Sequence, residues 1–317
     1  MTVFGSRRGI DDSRRGFLKS AGALGAAAFV WPAAAMQPIV REGKQRMNLS
    51  LAAYSMRKYL QAGEGSADRM SMVQFVDWAS GLDVDGVELT SYFFPDGNNP
   101  DGFDHSYLTD LKRRCHLHGL EITGGAIRNN FTHPAGETLE DSFSHTEAWA
   151  AHYGVLGAPA MRVFAGVPPR GTSEEEAIQR AIPNLHRAAE LTGKHGVYAA
   201  LENHDYLTVA SRLMQIVSKV DHPWFAVNLD SGNFFTADPY ADMVAAAPYA
   251  VNVQIKVEIR PEGGDKQPAD LDRVIGILAD SGYSGPIVLE YESNGEPKTD
   301  IPRYLGELRG LIEKHVG

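Results

Sequence analysis

Glu202, Asp230, Gln254 and Glu290 each close a short, mainly apolar run, at 197–201, 225–229, 251–253 and 287–289. Runs of that length, separated by stretches with helical spacing, read as buried parallel strands. Each run then carries one oxygen donor at its C-terminal end. Four strands with donors at the same end predict a barrel with a metal ion at its mouth, the face on which barrels build their sites. Three carboxylates and one amide carbonyl form a hard, all-oxygen set. It suits Mn²⁺ or Mg²⁺, with Co²⁺ as an alternative, better than Zn²⁺, which prefers His and Cys. Capping or salt-bridged carboxylates are the plainer reading, but one that suits a single residue better than four in register.

The chemistry of such a site is proton transfer. A cation holding two adjacent oxygens of a hydroxyketone polarises the carbonyl, acidifies the neighbouring C–H and stabilises the resulting enediolate. A carboxylate on either face then moves the proton, and a β-leaving group would turn the same carbanion toward elimination. Lys256 shares strand parity with Gln254 and is expected at the same mouth. Its ammonium would bind an alkoxide or acid group there, or pair with Glu292 or Glu258. Arg162 lies inside the barrel if Val163 faces the helices, and then needs Glu88 or Glu202 as partner. His204 is a candidate acid, base or substrate contact, or else an exposed loop histidine.

Eight strands are expected to position these groups, near 49–54, 86–89, 121–124, 161–164, 197–202, 225–230, 251–256 and 287–290. Amphipathic stretches at 72–79, 146–153, 174–192, 209–220, 271–279 and 303–314 alternate with them. This alternation favours a single closed (β/α)8 barrel, an α/β fold, over an open sheet. Gly119, Gly196 and Gly282 fall between a helix and the next strand, where a left-handed cap is expected. The loops that follow strands, at 92–104, 128–136, 166–172 and 258–268, are the longer ones.

The first 35 residues read differently. Ser13-Arg14-Arg15-Gly16-Phe17-Leu18-Lys19, a small-residue apolar stretch from 21 to 30 and Ala33-Ala34-Ala35 resemble a twin-arginine signal peptide. Residues 1–35 are therefore expected to direct export to the periplasm or beyond and to be removed, leaving a barrel domain over 36–317. The apolar stretch is short of the ~20 residues that span a bilayer, so no stable membrane anchor is expected. Residues 1–35 carry five basic and two acidic side chains, a net +3, so the remainder carries −13 against −10 for the whole chain. Such an acidic domain argues against nucleic acid as a partner. Cys115 is the one cysteine, so no internal disulfide can form, and its surroundings read as a core helix.

In order along the chain, Leu201-Glu202-Asn203-His204, Asp230-Ser231-Gly232-Asn233, Gln254-Ile255-Lys256 and Leu289-Glu290-Tyr291-Glu292 resemble the strand-end motifs of the xylose-isomerase-like sugar isomerase and epimerase superfamily. Ala53-Tyr54-Ser55, Gly86-Val87-Glu88-Leu89 and Arg162-Val163-Phe164 extend the resemblance over nearly the whole domain. It implies a (β/α)8 barrel holding one divalent cation, with Glu202 and Glu290 as both ligands and proton carriers. Many relatives place His where Gln254 stands, while some dehydratases use Gln. Arg260 matches the spacing of a substrate-binding arginine in the ketose 3-epimerase branch. Asn233 stands where that branch has a histidine, and Thr208 where it has a second glutamate, which argues against ketohexose 3-epimerisation itself.

Three functions are then expected in order: a metal-dependent isomerase or epimerase acting on a free sugar or keto-glycoside, a metal-dependent lyase or hydratase on a 3-keto sugar or polyol, and an exported sugar-binding protein. Tyr54, Phe93, Phe94, Phe131, Phe164, Phe234 and Phe235 would stack on the sugar or serve as core. The expected partner is a small carbohydrate, and self-association into a homo-oligomer is left open.

Overall fold

The computed structural model describes residues 36–317, so the expected leader lies outside the described residues. Eight parallel strands close on themselves: β1 (Met47–Ala52), β2 (Gly86–Thr90), β3 (Glu121–Ala126), β4 (Ala160–Val163), β5 (Tyr198–Glu202), β6 (Phe225–Asp230), β7 (Ala250–Ile255) and β8 (Gly285–Leu289). Each strand pairs with its neighbours in sequence, and β1 pairs with β8 to complete the ring. Helices α1 (Met72–Ala79), α2 (His105–Leu117), α3 (Glu137–Leu156), α4 (Glu174–Gly193), α5 (Ala210–Val217), α6 (Pro239–Ala246), α7 (Leu271–Asp280) and α8 (Pro297–Val316) follow the strands in turn. The expected α/β barrel is the fold of the protein. No described helix is long and apolar enough to cross a membrane.

Local chemistry explains where the helices begin. Ser71 caps α1 through a reciprocal capping box with Gln74, and Ser173 caps α4 ahead of three glutamates in its first turn. Acidic side chains there oppose the positive end of the helix dipole. Gly119, Gly196 and Gly282 take φ of 72°, 70° and 73°, the left-handed conformation expected of them. The loop after β7 contains a two-stranded antiparallel ribbon, Glu258–Ile259 with Gln267–Pro268, which the sequence pattern did not announce.

Alternation along the strands sorts the core into two layers. Leu49, Leu51, Val87, Leu89, Met161, Leu201, Leu229 and Ile287 belong to one buried apolar cluster with the helices. The other strand face mixes small apolar residues with polar ones: Glu88 on β2 accepts hydrogen bonds from Asn252 and Gln254 on β7. β2 and β7 are not neighbours in the ring, so these side chains meet across the barrel interior.

Candidate active site

The site has a floor and a mouth. In the floor, Gln254 Nε2 donates to Glu88 Oε1 at 2.8 Å and Asn252 Nδ2 to Glu88 Oε2 at 2.8 Å. Asn228 Nδ2 donates to Gln254 Oε1 at 2.7 Å, and Asn252 Nδ2 also reaches Asn228 Oδ1 at 2.7 Å. Burial, reinforced by the Glu290 charge, pushes the Glu88 carboxyl up to about 7, against the pull of these amides and of Arg162. A carboxyl ordinarily at 4.5 and held at about 7 in the fold binds its proton more tightly in the native state. Its contribution to stability is full below the ordinary value and is lost as pH rises through the folded one. Relative to Glu88→Gln, which does not titrate, wild-type stability should fall by about 3 kcal/mol from ~pH 4.5 to ~pH 8. Urea denaturation of both proteins across that range checks this, and parallel curves would contradict it.

The mouth is built around two cations. Asn203 ties the ends of β5 and β6 together: its Oδ1 accepts from Asp230 N and its Nδ2 donates to Asp230 O, both at 2.8 Å. Asp230 Oδ1 accepts from Gly232 N at 2.8 Å, which leaves Oδ2 turned toward Lys256 Nζ at 3.2 Å. The same Nζ lies 2.7 Å from Glu290 Oε2 and 3.1 Å from Glu292 Oε1. Burial alone would lower the Lys256 pKa, but the Asp230, Glu290 and Glu292 charges outweigh it and hold the ammonium well above its ordinary range. Burial raises the pKa of Glu290, as do Glu292 and Glu202, with Lys256 opposing.

Arg162 is the second cation. Its Nε lies 3.1 Å from Glu202 Oε2, and it donates to Ile127 O at 2.8 Å and to the Tyr92 hydroxyl. Its guanidinium stacks 3.9 Å from the Phe164 ring centre. Asn233 Nδ2 donates to the other Glu202 oxygen at 3.0 Å. Of the two carboxylates offered as partners for Arg162, Glu202 is the one in contact.

A cavity of about 410 Å³ opens above these groups and brings together Glu202, Glu290, Lys256, Arg162, Asn233 and His204. His204 is partly exposed, with Nδ1 3.0 Å from Asp205 Oδ1. Burial would lower its pKa, but Asp205 and Glu202 reverse the direction and raise it. Arg260 is exposed and lines a separate cavity of about 150 Å³, which shares Lys256, Asn233 and Glu292 with the larger one. Of the seven aromatics, Tyr54 and Phe164 line the larger cavity and Phe235 the smaller, whereas Phe93, Phe94, Phe131 and Phe234 are core. Sequence reasoning missed Tyr92, Arg128 and Asn129 on the rim. Tyr92 lies just after β2 with no signal of its own, and the one local signal for Arg128 and Asn129 was a run of polar residues directly after β3, which reads equally well as an ordinary loop.

A divalent cation held by Glu202, Asp230, Gln254 and Glu290 requires four oxygens with free lone pairs facing one point. The geometry departs from that expectation at two places. Both polar atoms of Gln254 are engaged in the floor, Oε1 by Asn228 and Nε2 by Glu88. The space between Asp230 and Glu290 is filled by the Lys256 ammonium. Among the described residues no group of three or more His, Cys, Asp or Glu is arranged to hold a metal. In this arrangement the expected four-oxygen set does not fit a divalent ion.

A search of the curated proteins found no match to this chain. Among solved structures it is similar to the IolI protein with a bound zinc atom, at 17% identity and TM-score 0.67, covering 85% of this chain and 99% of that one. It is also similar to D-psicose 3-epimerase from Clostridium cellulolyticum H10 with D-tagatose, at 14% identity and TM-score 0.65, with 85% and 99% covered. A third is the 3-keto-D-glucoside 4-epimerase YcjR from E. coli in its apo form, at 12% identity and TM-score 0.62, with 84% and 100% covered. At these identities the likeness is one of fold. The family model for the xylose isomerase-like TIM barrel matches residues 76–311, and the chain belongs to that family.

Proposed function

We propose that the protein is a carbohydrate isomerase or epimerase that moves a proton at a carbon beside a carbonyl. One observation carries this reading: two buried carboxylates, Glu202 and Glu290, face one cavity, each with a buried cation beside it. Glu290, whose carboxyl is raised by burial, takes the C–H proton. The electron pair left behind passes to the carbonyl oxygen, where the Lys256 ammonium or Arg162 guanidinium balances the developing charge. A proton then returns to carbon, either the one Glu290 has taken or one that Glu202 has first accepted from solvent, in which case Glu290 releases its own to solvent. Delivery to the opposite face of the same carbon gives an epimer, and delivery to the neighbouring carbon gives an isomer.

The printed names of two similar structures, a D-psicose 3-epimerase and a 3-keto-D-glucoside 4-epimerase, support a carbohydrate substrate. The twin-arginine leader belongs to the same reading. An exported enzyme meets free sugars and keto-glycosides rather than the sugar phosphates of the cytoplasm. A Mn²⁺ or Mg²⁺ requirement was the expectation from the strand-end donors, but no step above is assigned to a metal because the observed donor set does not fit one.

The test is proton exchange followed by NMR in D₂O, against a panel of ketoses and 3-keto-glycosides, with and without added Mn²⁺. Deuterium is expected at the carbon next to the carbonyl of the true substrate. The accompanying product separates an epimer or isomer from an eliminated sugar. Absence of exchange across the panel would remove the isomerase reading in favour of sugar binding alone.

A further inference from the structure

We infer that Lys256 is the resident cation of this site: its ammonium stands where the strand-end carboxylates would bind a divalent metal, and the chain binds none there. The inference rests on the proposed proton transfer for its catalytic consequence, while its structural content is independent of any activity.

Three carboxylates from two segments converge on one Nζ: Glu290 at 2.7 Å and Glu292 at 3.1 Å from the segment after β8, and Asp230 at 3.2 Å from the end of β6. A metal bridging Asp230 and Glu290 would have to occupy the volume that this ammonium fills. Lys256 is also built into place from below. Its backbone N donates to Ser231 Oγ at 2.9 Å. Its stem runs over Gly232, where an added Cβ would lie 2.5 Å from Lys256 Cγ and 2.6 Å from its Cβ. Gly232 therefore serves as the cradle through which the lysine reaches the carboxylates. Withdrawing the ammonium would leave Asp230 and Glu290 buried without a cation, Asp230 keeping only its bond from Gly232 N, a costly state for interior charges. Gln254, the fourth expected ligand, is held in the floor through both of its polar atoms.

The consequence concerns substrate choice. A metal chelates two adjacent oxygens, whereas this ammonium, already shared among three carboxylates, offers a single charge. With Lys256 as the cation, the favoured substrate presents one developing oxyanion beside the acidic C–H, and adjacent hydroxyl and carbonyl oxygens are not both required.

Metal binding, read without substrate, tests this. Chelator-treated full-length protein is titrated with Mn²⁺, and free Mn²⁺ is followed by electron paramagnetic resonance for wild type, Lys256→Met and Asp230→Asn. Wild type should show no saturable site up to ~1 mM, and Lys256→Met should take up one Mn²⁺ at least ~100-fold more tightly, because a fixed positive charge a few ångströms from the ion is gone. One equivalent bound by wild type at low micromolar Mn²⁺ and lost in Asp230→Asn would overturn the inference. A folded Lys256→Met that binds no metal would overturn it equally. If Lys256→Met does not fold, the wild-type and Asp230→Asn titrations decide between the same two results. Failure of the D₂O exchange with an empty wild-type titration would reject the isomerase reading and leave this inference standing.

Discussion

Glu290→Gln should lower the rate of deuterium wash-in by about 10²–10⁴-fold, the range that a positioned general base contributes. The substitution is chosen for what it preserves. Glu290 is buried, follows β8 directly, and its backbone N donates to Ile255 O at 2.9 Å, so the segment is held by its main chain. The amide oxygen of glutamine can still accept from Lys256 Nζ, the bond now made at 2.7 Å. What is lost is the ability to take a proton. Burial is the main reason that Glu290 suits this role: a carboxyl held above its ordinary value abstracts a carbon-bound proton better than a fully solvated one. Initial wash-in rates for wild type and variant, with far-UV circular dichroism and a melting curve to show that the fold is kept, make the comparison. A wild-type rate in a folded variant would take Glu290 out of the proton path.

The strands were legible because each is an apolar run of the right length between turn residues, and β6 falls at 225–230 as read from the sequence. Parity was legible too: alternation put Arg162, Gln254 and Lys256 on the interior face, where all three are found. What local spacing could not carry was the identity of each partner across the barrel. Gln254 is claimed by Glu88, 166 residues earlier, and by Asn228, 26 residues earlier. Strand pattern alone says that such residues face inward, not at which height they meet. Lys256 shows the same limit. Glu292 was a foreseeable partner, but the placing of the ammonium between Asp230 and Glu290 depends on the room left by Gly232. Arg260 matches a spacing in sequence, yet the ribbon at Glu258–Ile259 turns it toward the neighbouring cavity.

Arg162→Met should cost about 3–5 kcal/mol of stability at neutral pH, the penalty for leaving a buried ion pair with one partner. Methionine keeps much of the volume and the apolar contact with Phe164, so packing is not the main loss. Three polar contacts disappear: the ion pair to Glu202, the bond to Ile127 O and the bond to the Tyr92 hydroxyl. The first decides the magnitude. Glu202 is only 4% exposed, and without the guanidinium its remaining side-chain partner is the Asn233 amide. The Glu290 carboxylate also faces the same cavity, and its charge then acts on Glu202 with Lys256 as the cation left beside it. One further measurement separates this account from simple loss of packing. Adding Glu202→Gln to Arg162→Met should recover about 1–3 kcal/mol, because the orphaned charge is removed with its partner. Urea midpoints for wild type, both single variants and the double variant give this quantity. Additive losses would mean that Arg162 holds the barrel mouth by its stacking and backbone contacts, and that Glu202 does not depend on it.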